Sequence, residues 1–76
     1  MNPIIEARIG RNLRSLREQK KMTQNDVSLR LQLKGCDITR SALAKIEVGQ
    51  RHLYPDEIIL LKEILDVPYE EIFKME

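Results

Sequence analysis

His52 and Cys36 are the only histidine and the only cysteine in the chain, and together they bound the chemistry this sequence can perform. A histidine-dependent triad would have to use His52, which sits between Gly49 and Pro55 with no partner placed to orient its ring. A metal centre needs several His, Cys or carboxylate ligands at workable spacing, and Cys36 with His52 falls short of that. The three glycines are isolated, so no phosphate-cradling loop is present. These residues argue against an enzyme, and they imply neither a cofactor nor a small-molecule ligand. What remains is cation chemistry. Arg40 and Lys45, interleaved with Ser41 and Ala44, occupy one short stretch and offer positive charge and hydrogen-bond donors without any acid or base machinery.

The charge distribution points the same way. Residues 1–21 hold six Lys/Arg and two Asp/Glu, residues 22–51 hold five and three, and residues 52–76 hold two and seven. A net charge of +1 therefore conceals a basic first two thirds and an acidic last third. Basic surface concentrates near polyanions, and the acidic end is repelled by them.

Seventy-six residues form a single domain, residues 1–76, in which most elements must share one core. Hydrophobic residues at 42% and charged residues at 33% place the chain among compact folded domains and away from disordered composition. One cysteine permits no internal disulfide, which fits a reducing compartment. No apolar run has the length of a membrane span, and the start MNPIIEARIGR lacks the apolar stretch of a signal peptide. The expectation is a cytoplasmic protein with no membrane contact.

The elements that position the cations are five helix-sized pieces. In the first, Ile5, Ile9, Leu13 and Leu16 recur at helical spacing, with Arg8, Arg11 and Arg14 off the stripe on a face open to solvent or to a polyanion. Residues 1–8 read equally as the start of that helix or as an arm. The second piece opens with Thr23 as N-cap, Asp26 completing a capping box, and Met22 and Val27 as a hydrophobic staple; Gly35 offers a left-handed stop. Within it Val27, Leu29, Leu31 and Leu33 alternate with polar residues, a strand pattern, but the cap and stop define a helix.

The third piece repeats this grammar, with Thr39 as cap, Ile38 and Leu43 as staple and Gly49 as exit. At about 100° per residue, Leu43 and Ile46 fall within about 60° of each other, and Arg40, Ser41, Ala44 and Lys45 lie opposite. The fourth piece begins at Pro55-Asp56-Glu57 and carries Ile58, Ile59, Leu60, Leu61, Ile64 and Leu65 around more than one face. Such a helix is either central to the core or partly covered by a second subunit. The fifth begins near Pro68, with Ile72 and Phe73 as its packing residues.

Two capped helices in tandem, the second short and cationic on its outer side, have the form of a helix-turn-helix. Arg17, Met22-Thr23-Gln24 and the run Thr39-Arg40-Ser41-Ala42-Leu43-Ala44-Lys45-Ile46-Glu47-Val48-Gly49 resemble the phage-repressor and Cro family of helix-turn-helix domains. The resemblance runs from about Ile9 to Phe73 and implies an all-α, five-helix, lambda-repressor-like fold with helices 2 and 3 as the DNA-binding unit. It implies that Thr23 and Gln24, at the start of helix 2, and Gln50 and Arg51, after helix 3, contact phosphates. It places Arg40, Ser41, Ala44 and Lys45 at base edges in the major groove of double-stranded DNA. It makes Arg17 and Glu47 a structural ion pair, and the helical wheel agrees, with Glu47 about 40° from Leu43 on the core side. In one respect the chain departs from the family. Gln24 and Arg40 are sixteen positions apart, more than the usual spacing, so either helix 2 or the loop after it is longer.

The resulting expectation is a sequence-specific transcriptional repressor, binding a palindromic operator as a homodimer through helices 4 and 5. A protein-interaction module of the antitoxin or repressor-antagonist type is the competing expectation. The cations retained on helix 3 argue against it, because a docking module has no use for Arg40 and Lys45 there.

Overall fold

Local signals set where each helix starts and stops. The computed structural model describes residues 2–76 and contains α1 (Pro3–Gln19), α2 (Gln24–Leu33), α3 (Arg40–Glu47), α4 (Pro55–Leu65) and α5 (Tyr69–Ile72), with no strand among the described residues. Asn2 Oδ1 accepts from the Ile4 and Ile5 N–H groups, and Pro3 occupies the first helical position, so residues 3–8 are helix and not an arm, while Met1 lies outside the described residues. At α2 the capping box is complete: Thr23 Oγ1 accepts from Asp26 N at 3.0 Å, and Asp26 Oδ2 accepts from Thr23 N at 2.8 Å. Those bonds hold the Asp26 carboxyl below its usual pKa, the Thr23 backbone N–H contributing most. Thr39 Oγ1 caps α3 by accepting from Ala42 N. Gly35 and Gly49, with φ of +80° and +78°, supply the left-handed turns that end α2 and α3.

The alternation in α2 resolves as a helix whose apolar residues face two ways. Val27 and Leu31, four apart, are fully buried, whereas Leu29 and Leu33 are 52% and 87% exposed. The extra length between Gln24 and Arg40 is accommodated by a ten-residue α2 and the connection at residues 34–39. That connection is anchored inward: Ile38 is fully buried, and Ser28 Oγ donates to its carbonyl at 2.7 Å from inside the core.

One core serves all five helices. Leu13 and Leu16 of α1, Val27 and Leu31 of α2, Leu43 and Ile46 of α3, Leu61, Ile64 and Leu65 of α4 and Ile72 of α5 meet there, joined by Ile38 and Val67 from the connections. The α1 stripe reaches this core through Leu13 and Leu16, with Ile9 at its margin and Ile5 largely in solvent. In α5 the expected packing pair divides. Ile72 is fully buried and Phe73 is 43% exposed, because a helix of only four residues turns one apolar side chain inward and carries the next out. Asn12 Nδ2 donates to the Ile72 and Lys74 carbonyls and fastens the C-terminal segment to α1.

α1 crosses α3 at Gly10. A Cβ there would collide with the Ile46 carbonyl oxygen and come within 3.0 Å of the Glu47 backbone, so only glycine allows the two helices this approach. The same crossing is closed at Gly49, where a Cβ would lie 2.9 Å from Ala7 Cα.

Candidate nucleic-acid interface

The position of α3 depends on a carboxylate in its last turn. Glu47 is 4% exposed and Arg17, reaching across from α1, is 9% exposed. Arg17 Nε donates to Glu47 Oε2 at 2.8 Å, and a second guanidinium nitrogen donates to Oε1 at 3.1 Å. Gln24 Nε2, from the start of α2, donates to the same Oε1 at 3.0 Å, and Arg17 also donates to the Met22 carbonyl at 2.8 Å. Glu47 thus joins three helices at one point. Hydrogen bonding to Glu47 outweighs burial and raises the pKa of Arg17 further, so the guanidinium stays charged. No buried side-chain nitrogen or oxygen is left without a partner among the described residues. Such a network resists rotation of α3 against α2, since removing either charged member strands the other in the interior.

With Glu47 engaged inside, the outer face of α3 keeps its cations uncompensated. Arg40, Ser41 and Lys45 are exposed and Ala44 is half-buried. Among the described residues neither Arg40 nor Lys45 has a side-chain ion pair or hydrogen bond. A concavity of about 470 Å³ is lined by Gln24, Thr39, Arg40, Ser41 and Ala44, so the amino ends of α2 and α3 share one surface. Lys45 lies one turn along α3 from Ser41, beyond that concavity. Thr23 is exposed at the cap of α2, where its hydroxyl oxygen accepts from Asp26 N and its O–H is left to donate.

The loop after α3 presents its two polar residues differently. Gln50 is exposed, its N–H donating to the Lys45 carbonyl at 2.8 Å. Arg51 turns back into the protein, donating to Glu57 Oε1 at 2.9 Å and Oε2 at 3.1 Å and to the His52 carbonyl at 2.9 Å. Burial opposes the charge on Glu57. The guanidinium of Arg51 and the Tyr54 N–H outweigh it, so the carboxyl stays below its usual pKa. Neither this pair nor the Gln24 bond to Glu47 was read from the sequence. Their only sequence signal is the polar inner position of each glutamate, at the end of α3 and in the first turn of α4. Gly10 was also missed, although a glycine inside a helical stripe is a mark of close helix approach.

On another surface, Tyr69 of α5 and Phe73 just after it stack at 6.3 Å between ring centroids, and Lys62 of α4 lies 5.4 Å from the Tyr69 ring centre. Ile59, one turn before Lys62 on α4, is half exposed. Among the described residues no cluster of His, Cys, Asp or Glu could hold a metal ion, and no helix is long and apolar enough to cross a membrane.

A family model described as a helix-turn-helix domain matches residues 10–76. No curated protein and no solved structure matches the chain.

Proposed function

Because the chain belongs to the helix-turn-helix domain family, we propose that it is a sequence-specific DNA-binding transcriptional regulator of the phage-repressor and Cro type, acting as a repressor. The observation that carries this reading is the state of α3: fixed on its inner side by Arg17, Glu47 and Gln24, and free and cationic on its outer side. α3 enters the major groove, where Arg40, Ser41, Ala44 and Lys45 meet base edges. An arginine there takes the bidentate guanine contact, and an alanine accommodates a thymine methyl. Thr23 and Gln24 receive a phosphate at the start of α2, where first-turn N–H groups have no intrahelical acceptor. Gln50 meets the backbone beyond α3, and Arg51, held by Glu57, fixes the loop that presents it.

The regulator acts as a homodimer through α4 and α5, on a palindromic site with half-sites about 34 Å apart. The exposed Tyr69–Phe73 stack and Ile59 support that surface, as does the excess of acidic residues in the last third, which keeps it away from DNA. Selection from a random duplex pool, using the purified protein at near-physiological salt, tests the whole reading. An enriched palindrome is the expected result. No enrichment by the folded protein would replace this reading with that of a docking module.

A further inference from the structure

α1 carries three arginines off its apolar stripe, and the fold sends them to different places. Arg8 Nε donates to the Lys74 carbonyl at 3.4 Å, and Arg11 lines a concavity with Glu71, Lys74 and Glu76 of the C-terminal segment. Arg14 opens on the other side. It lines a cleft of about 640 Å³ together with Arg17, Met22, Thr23, Gln24, Asn25 and Arg40, so α1 meets the starts of α2 and α3 there. Arg17, in the same cleft, is consumed by Glu47 and the Met22 carbonyl. Arg14 is not. Among the described residues its one partner is Glu18 at 3.5 Å, with both side chains more than half exposed, and such a pair holds an arginine only weakly in water.

We propose that Arg14 is a DNA backbone ligand, closing on a phosphate seated in the cleft between α1 and the amino ends of α2 and α3. The inference rests on the DNA-binding reading above and extends its interface to a third helix. Arg14 and Arg40 both line the cleft and supply positive charge, and Gln24 and Asn25 line it at the start of α2, where first-turn N–H groups have no intrahelical acceptor. The partner is a diester strand because the cleft is open and continuous, through Gln24 and Arg40, with the concavity along α3. One guanidinium fork on one phosphate carries no base information, so Arg14 sets affinity and register and leaves sequence preference alone.

The test uses the full chain and a duplex chosen by the selection above. Affinity is measured between 50 and 200 mM salt for the wild type, R14A, R14K and R11A. R14A is expected to bind about threefold to tenfold more weakly on every sequence, with a log–log salt slope shallower by about 0.9. R14K is expected to keep the wild-type slope. R11A removes the same charge from the same helix and is expected to keep that slope as well. A duplex series with one phosphate at a time replaced by methylphosphonate is expected to reveal a position that weakens the wild type and leaves R14A unchanged. Equal effects of R14A and R11A would overturn the proposal in favour of a diffuse field, and so would wild-type behaviour of R14A. Absence of duplex binding by the wild type itself marks the failure of the DNA reading, which is separate from either result.

Discussion

α3 and α4 each carry one glutamate on the inner face, and each meets it with an arginine from another segment. Glu47 takes Arg17 across the α1–α3 crossing, and Glu57 takes Arg51 from the loop just before α4. The first pair is buried on both sides and joins elements thirty positions apart; the second leaves the Arg51 side chain 28% exposed and joins residues six apart. The outer faces also diverge: α3 displays Arg40, Ser41 and Lys45, whereas α4 and α5 display Ile59, Lys62, Tyr69 and Phe73 among acidic neighbours. The same inner device therefore serves two different surfaces. Charge type does not tell which residues act outward; what each charge is already paired with does.

Removing the two glutamates tests this contrast most severely. Glu47→Ala is expected to cost about 3–5 kcal/mol, because it strands a buried guanidinium, while Glu57→Ala costs about 1–2 kcal/mol in lost hydrogen bonds at a wetter site. Urea melts of both variants check the ranking, and equal losses would break it. Replacing the outer cations reads the other side of the contrast. Arg40→Ala is expected to cost about 1–3 kcal/mol of DNA affinity and to relax base preference, with Lys45→Ala acting in the same direction, and melting should shift by no more than about 0.5 kcal/mol in either. A large loss of folding would mean that this face is core.

On the α4–α5 surface, Phe73→Glu is expected to weaken self-association about tenfold or more, as for an aromatic anchor, without lowering monomer stability. Sedimentation velocity across a concentration series measures it, and an unchanged profile would place the dimer contact elsewhere. Smallest is the effect of acid. Asp26 and Glu57 have folded pKa values below their usual ones, so each contributes stability that is complete above the unfolded value and lost as pH falls through the folded one. Thermal midpoints should be level above the carboxylate range and decline within it. In Glu57→Gln that decline should be shallower.

Much of the fold was legible because its signals are local. An N-cap such as Thr23 or Thr39 bonds a backbone group three residues on, and Gly35 and Gly49 act at their own φ, so helix boundaries follow from short windows of sequence. The four-residue spacing of Val27 and Leu31 settled α2 once burial decided between helix and strand. The Thr39–Gly49 run was legible as a short helix with a cationic outer face for the same reason, since its wheel separates Leu43 and Ile46 from Arg40 and Lys45.

The rest required the chain to close on itself. Whether an arginine is spent inside depends on what another element brings to it: Arg17 is taken by Glu47, thirty positions on, and Arg51 by Glu57 of α4. Phe73 was misjudged because a four-residue helix offers too little period to assign a face. Gly10 reads as a mild helix defect until α3 crosses there, and Gln24 reads as a free polar side chain until Glu47 arrives. The sequence by itself determined five helices, two of them opened by a threonine cap, and a cationic outer face on α3, since backbone hydrogen bonding and helical period act over a few residues. The tertiary structure alone decided which charges are spent inside and which remain to meet a partner, since pairing acts through space between side chains of different elements.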